Sequence, residues 1–359
     1  MSTDALFDLL RGYSALLPVA KLRYPTALPF TEVHDFVLEN IVLNAHLAAY
    51  PPSAPYQQTF YKWLINCLEE HLGNEDAAID DRLYDKLFDS MSETRCVQCI
   101  SPVAMVPPPT YVTHYWNPKS TRHDPPPENT VCGRSTVTLF ESRTTIESGT
   151  TGLRTWRASF VLARHFIAHS DIIQDCTVLE LGSGTGFLGI VVASLQVLCH
   201  NVGALPAVAL TDINETVIER CIDNVRLPCN VSASHPRISV RPLDWMDALE
   251  STRLTSLRSF LDEVSPDIVL GADVLYHPDI IPALVATLKE ALNRKPTSVA
   301  YLAITVRNPD LLQTLLTEVV GRGLVFEELV AELGANNDFL ENYEGIDQKV
   351  ALLKIVTRS

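Results

Sequence analysis

"VLELGSGTGFLG", Val178 to Gly189, decides how the rest of the chain is read. An apolar run ends at Glu180-Leu181, glycines alternate at 182, 184 and 186, and a second apolar run begins at Phe187. Glycine is needed where a backbone turns tightly and a ligand comes close, so this reads as a strand, a ligand-holding turn and a helix. The pattern alone does not choose the ligand. A dinucleotide fingerprint reads G-x-G-x-x-G, its third glycine packing helix on strand. Here the order is taken as E-x-G-x-G-x-G, with an acid, Glu180, two residues before the first glycine. A carboxylate so placed repels a pyrophosphate and attracts a cation, such as the amino group or sulfonium of S-adenosylmethionine.

Outward from the motif, strands and helices alternate. "TWRASFVLARHFIAH" (155–169) sets Trp156, Phe160, Ala163 and Ile167 on one helical face. Strands are expected at 177–181, 207–212, 237–245, 267–273 and 298–306, each followed by a helix: 187–198, 214–226, 248–263, 279–293 and 309–321. Two further strands, 324–330 and 349–356, have no helix between them and suit an antiparallel hairpin. Apolar strands joined by helices mean a parallel sheet covered on both faces. The expected fold is α/β, a Rossmann-like, seven-stranded, doubly wound sheet of the class I methyltransferase layout, over residues 135–359, with "STVTLFES" (135–142) as a strand at its head.

Residues 1–100 read as a helical domain. "TEVHDFVLENIVLNAHL" (31–47) puts Val33, Phe36, Val37, Ile41 and Leu47 near one stripe; "YQQTFYKWLINCLEEHL" (56–72) does so with Phe60, Trp63, Leu64, Cys67 and Leu68. Residues 101–134 read as a linker, because eight prolines fall between Pro102 and Pro127 and favour extended chain over a packed element.

The chain has 359 residues, 47% of them hydrophobic, and 28 basic against 43 acidic side chains. That balance argues against a protein that tracks phosphates. Residues 181–211 carry no charge, but Gln196, His200, Asn201, Gly203 and Pro206 interrupt them, so a buried helix and strand fit better than a membrane span. The start, "MSTDALFDLL", has no basic segment typical of a secretory leader. The eight cysteines include one CxxC, Cys96 and Cys99, without a second pair at zinc spacing. Reduced thiols, no metal and a cytoplasmic location are expected.

Three more pieces bear on a ligand. Asp212 ends the strand one βα unit after the glycines, where a carboxylate accepts both hydroxyls of a ribose. Asp244 and Trp245 end the next strand; Asp244 can accept the adenine amino hydrogens and Trp245 can pack on the ring, or be a core aromatic. "SGTTGLRTW" (148–156) suits a loop folding over a ligand with Trp156 on the first helical turn, or a helix entry with Thr155 as N-cap. "GADVLYHPD" (271–279) then sets Asp273 and Tyr276 where the fourth strand ends. Asn308 and Pro309 end the next one, as a second wall of an acceptor channel or as a plain strand-to-helix turn.

"GTTGLRTW", "VLELGSGTG", "LDW", "ADVLYHPD" and "TVRNPD", in this order, resemble the family-with-sequence-similarity-86 group of the methyltransferase-like, twenty-one-type protein-lysine methyltransferases. The resemblance covers residues 135–359 and extends loosely to "YPPSAPYQQTFYKWLIN" (50–66). It implies that Trp156, Gly182, Ser183, Gly184, Trp245 and Ala272 line an S-adenosylmethionine site, with Asp212 on the ribose. It implies that Asp273, Val274, Leu275 and Tyr276 form the group's D-x-x-Y signature beside the methyl-acceptor channel. It also implies a protein substrate, a lysine of translation elongation factor 2, with no nucleic acid, no membrane and a monomeric enzyme. On this reading Asp273 orients the incoming ammonium or the cofactor's methionine end, and Tyr276 walls the channel. Three rivals stand beside it. A nicotinamide oxidoreductase shares the sheet, but Glu180 and the missing third glycine spacing weigh against it. A methyltransferase for nucleic acids or small molecules lacks an "NPPY"-like motif here. A non-catalytic module on the same fold sits poorly with intact glycines, Asp212 and Asp273.

Overall fold

The structure, a computed structural model, describes residues 2–73, 77–100, 107–117, 130–131, 133–200, 203–330, 339–340 and 348–358. By contacts the chain divides into two units, one built mainly on Met1–Tyr115 with Thr130–Thr145, the other on Ile146–Asp338 with Tyr343–Ser359.

The first unit holds helices α1 (Ser2–Ser14), α2 (Phe30–Val37), α3 (Ala45–Ala49), α4 (Ala54–His71) and α5 (Asp81–Ile100). It also holds a three-stranded sheet of β1 (Thr110–Trp116), β2 (Thr130–Val131) and β3 (Arg134–Glu141), in the order β1-β3-β2. Val33, Val37, Ile41, Leu47, Phe60, Leu64 and Leu68 are buried in one cluster with Tyr13 and Tyr61, as their periodicity predicts. Two expectations change here. The helix read over 31–47 is broken, because Asn44 leaves the helical path and its side chain accepts from His46 N and Leu47 N, capping a new helix. The segment read as linker contains β1, whose Tyr-Val-Thr-His-Tyr-Trp run is free of proline and suits a buried strand. The strand expected at the head of the sheet, β3, belongs by contacts to this unit. Residues 101–106, 118–129 and 132 of the segment read as linker, and the Cys96 and Cys99 side chains, lie outside the described residues.

The second unit holds α6 (Arg157–Ala168), β4 (Val178–Leu181), α7 (Phe187–Cys199), β5 (Val208–Asp212), α8 (Glu215–Val225), β6 (Ile238–Pro242) and α9 (Ser251–Val264). Then come β7 (Ile268–Ala272), α10 (Ile281–Leu292), β8 (Val299–Thr305), α11 (Pro309–Gly321), β9 (Leu324–Leu329) and β10 (Val350–Thr357). The seven strands run β6-β5-β4-β7-β8-β10-β9. The first five are parallel, and β10 is antiparallel to both β8 and β9. The order reverses between β4 and β7, which opens a crevice beyond their carboxyl ends. The uncharged run 181–211 resolves into the glycine loop, α7 and β5. No helix among the described residues is long and apolar enough to cross a membrane.

Helix α7 is buried along almost its whole length, and Gly189 is where it meets the sheet. A β-carbon there would run into the side chain of Leu210 on β5. Gly189→Val should therefore push α7 off the sheet and destabilise the fold by about 1–3 kcal/mol, read from urea unfolding.

Candidate functional site

The glycine loop follows β4 in a conformation that L side chains rarely adopt. Gly182, Gly184 and Gly186 have φ of 67°, 54° and 91°. Space is short as well: a β-carbon on Gly182 would lie 3.1 Å from Val274 Cγ1 and 3.4 Å from Trp245 Cζ2, and one on Gly184 3.2 Å from Gly152 O. The loop is tied to β5, since Ser183 N–H donates to Thr211 O (2.8 Å) and Thr211 N–H donates to Ser183 Oγ (3.0 Å).

Above this loop lies a cavity of about 480 Å³, the size range of a nucleoside-bearing ligand. Trp156, Gly182, Ser183, Gly184, Asp212, Asp244, Trp245, Ala272, Asp273 and Tyr276 all line it. They come from the ends of β4 to β7 and from the segment before α6. Trp245 also packs against the apolar core of the sheet, so the core reading holds for a residue that faces the cavity as well. Asp212 sits at the tip of β5. Its Oδ2 accepts from Gly184 N–H (3.2 Å) and its Oδ1 from Ile213 N–H (2.8 Å) and Asn214 N–H (3.2 Å). Burial raises its pKa above the ordinary value, against the pull of those three donors. Asp244 Oδ1 accepts from Met246 N–H (2.9 Å), and this turn presents Trp245.

The strap before α6 lies on the glycine loop. Thr155 Oγ1 meets Thr185 Oγ1 at 3.0 Å, and Trp156 Nε1–H donates to Thr151 O (2.9 Å). Trp156, not Thr155, stands at the N-cap position, and its own side chain makes no cap hydrogen bond. The cap comes from a distance: Ala158 N–H donates to Asp273 Oδ2 (3.3 Å).

Asp273 adopts φ 52°, and its side chain is only 3% exposed. Besides Ala158 N–H, its carboxylate accepts from Thr305 N–H (2.9 Å) and Thr305 Oγ1–H (2.8 Å), with Arg307 Nη1 and Nη2 at 3.5 and 3.4 Å. The oxygens that sequence reasoning aimed at a cationic ligand are occupied by donors of the protein itself. Arg307 is the residue that reasoning missed, although it lies inside the quoted "TVRNPD"; its part depends on contacts that no local pattern reports. Tyr276 is 66% exposed on the cavity wall, not packed under the helix that follows. Burial, then the charges of Asp212 and Asp244, raise the pKa of its phenol. Asn308 caps α11 by accepting from Asp310 N–H, and neither it nor Pro309 lines the cavity, so the plain-turn reading holds there.

Glu180 requires a correction. It is 2% exposed beneath the loop and is not part of the cavity wall. Burial, helped by the charge of Asp212, pushes its pKa up to about 8 against the opposing pull of Ser183 and the Gly189 backbone. At neutral pH the raised pKa favours the neutral acid, with Oε2 left without a hydrogen-bond partner, so its position two residues before the first glycine is no argument for a cationic ligand. The second argument against a dinucleotide also fails. Gly184, Gly186 and Gly189 do form a G-x-G-x-x-G, and Gly189 does the helix–strand packing expected of a third glycine. The ligand class rests on other grounds.

The strand order, with its antiparallel β10, and the glycine loop below the cavity define a class I methyltransferase fold. The family model described as lysine methyltransferase matches residues 137–313. The protein-lysine N-methyltransferase EFM3 of Chaetomium thermophilum is 31% identical over 279 residues, spanning 76% of this chain and 77% of that protein. The protein-lysine N-methyltransferases EEF2KMT of Bos taurus and Homo sapiens are 28% and 29% identical, covering 82% and 81% of this chain and 79% and 78% of theirs. The chain belongs to the protein-lysine N-methyltransferases, which draw the methyl group from S-adenosylmethionine.

Two measurements test this geometry. Unfolded, Glu180 ionises near 4.5; folded, near 8. The folded state holds the extra proton between those values, so this contribution to stability is full below the lower one and lost as pH rises through the upper. Glu180→Gln, which does not titrate, should gain stability relative to the wild type between about pH 5 and about pH 8 in urea unfolding, and a gap that stays constant would contradict the buried acid. Asp273→Ala strands the Ala158 and Thr305 donors and should cost about 1–3 kcal/mol in the same assay. Asp273→Gly should lose less, because glycine accepts the positive φ without strain.

Proposed function

We propose that the enzyme methylates a lysine of translation elongation factor 2, with S-adenosylmethionine held in the cavity above the glycine loop. The observation that carries the cofactor placement is the meeting of the positive-φ glycine cradle with Asp212 in the cavity beyond the carboxyl ends of β4 and β5. The substrate rests on the resemblance in "GTTGLRTW" and "TVRNPD" and on relatives that match about four-fifths of the chain.

In this reading Asp212 accepts the ribose hydroxyls, as its place at the tip of the second strand suits. Asp244 accepts from the adenine amino group and Trp245 packs beside the ring. Gly182, Ser183, Gly184 and Ala272 leave room for the rest of the molecule, and Trp156 closes over it. S-adenosylmethionine supplies a methyl group on a positively charged sulfur. The chain's residues must bring a neutral lysine amine to it in line. A free lysine has pKa about 10.4, so deprotonation at pH 7 costs roughly 4–5 kcal/mol. A tight, water-poor channel lowers that cost by disfavouring the ammonium, and alignment supplies much of the rest. Tyr276 forms a wall of this channel. Asp273 serves by fixing the strand ends and the helix start around it. No covalent intermediate on the enzyme is needed.

Incubating the purified protein with labelled S-adenosylmethionine and purified elongation factor 2 should place label on one lysine, located by mass spectrometry. Label in RNA, or only in other proteins of a eukaryotic extract, would overturn the substrate. Asp212→Asn should raise the Kd for S-adenosylhomocysteine by roughly tenfold or more while the protein stays folded, as expected for a lost charge-assisted hydrogen bond.

A further inference from the structure

The strap from Glu147 to Trp156 supplies a large part of the cavity wall and belongs to no strand or helix of the sheet. Glu147 and Thr150 exchange backbone hydrogen bonds, and Ser148 and Gly149 both have positive φ, so the turn itself is compact. Beyond it, the strap reaches Trp156, whose indole N–H returns to Thr151 O and whose helix receives a cap from the remote Asp273. One further group touches both ends of that arrangement. The Arg307 guanidinium carbon lies 5.1 Å from the centroid of the Trp156 ring, and its Nη1 and Nη2 face the two oxygens of Asp273.

We propose that Arg307 is a positioning residue for cofactor binding, a clamp at the end of β8 that holds the Trp156 indole, and with it the strap, over the cavity. Arg307 does not line the cavity and touches neither reactant; it acts through Trp156 and Asp273. The chemistry suits arginine in particular. A planar guanidinium lies against an indole with one surface while its N–H fork meets a carboxylate, and a lysine ammonium does both poorly. Its contact with Asp273 is not surface decoration, since the carboxylate itself is buried and already ties Thr305 and Ala158 together. The guanidinium also offsets the charge of that carboxylate next to the helix start, where it acts as cap. Arg307 thereby transmits the fixed position of the β8 end to a strap that has no strand of its own to rest on.

The inference depends on the cavity being the S-adenosylmethionine site, and the test separates the two. Isothermal titration of S-adenosylhomocysteine is run on the wild type, Arg307→Ala, Arg307→Lys, Trp156→Ala and the double variant. Arg307→Ala should bind roughly 5- to 30-fold more weakly, from the loss of one cation–π contact and one half-exposed ion pair. Arg307→Lys should recover only a part of that. In the Trp156→Ala background, removing Arg307 should change the affinity by less than about threefold, because the group it acts on is gone. In turnover, Arg307→Ala should raise KM for S-adenosylmethionine more than it lowers kcat, and the near-ultraviolet tryptophan signal should change on that substitution. Wild-type affinity in Arg307→Ala, full recovery by lysine, or losses that simply add in the double variant overturn the clamp. No binding to the wild type overturns the cofactor reading and the clamp together.

Discussion

The carboxylate of Asp273 accepts hydrogen bonds from groups more than a hundred residues apart in the chain. Thr305 ends the neighbouring strand, Ala158 begins the helix that precedes the sheet, and Arg307 starts the turn after β8. Without it, the start of α6 and the end of β8 would be left with unpaired N–H groups at the place where the cavity must have firm walls. The strained φ of Asp273 is consistent with this role, since a residue stays in a sparsely populated conformation only where its surroundings over-determine it. The cavity therefore owes its shape to a buried polar knot as much as to the glycine loop beneath it.

Much of the sheet could be read directly from the sequence, because each buried parallel strand is a short apolar run and each joining helix repeats its apolar positions at helical spacing. The ends of β4, β5, β6 and β7 then place Trp245, Asp212 and Asp273 on one edge without further information. What could not be read has identifiable causes. A proline-rich composition masked β1, because composition averages over a segment and a strand needs only seven proline-free residues. The break at Asn44 is a contest between helix continuation and a side-chain cap, which periodicity does not register.

Charge was the weakest guide. Glu180 looked like an anion facing a ligand because sequence reveals a residue's type but not its solvation, and burial turns this acid neutral. Asp273 looked like a partner for a cationic ligand because the donors that occupy it come from Ala158, Thr305 and Arg307, none of them near it in sequence. Gly189 stood in the sequence as the third glycine of a G-x-G-x-x-G, which the E-x-G-x-G-x-G reading passed over, and its spacing describes how a helix meets a strand whatever nucleoside lies above.

Strand β10 lies between β8 and β9, antiparallel to both. During synthesis, β8 and β9 leave the ribosome before the strand that joins them. Until residues 350–357 emerge, β8 presents an open edge with a row of unpaired backbone groups, and β9 has no sheet to join. The parallel half of the sheet has its own wait, since β4 lacks its second neighbour until β7 emerges. The edge that carries Thr305 and Arg307 is thus exposed to wrong strand pairing for as long as it takes to translate from β8 to β10.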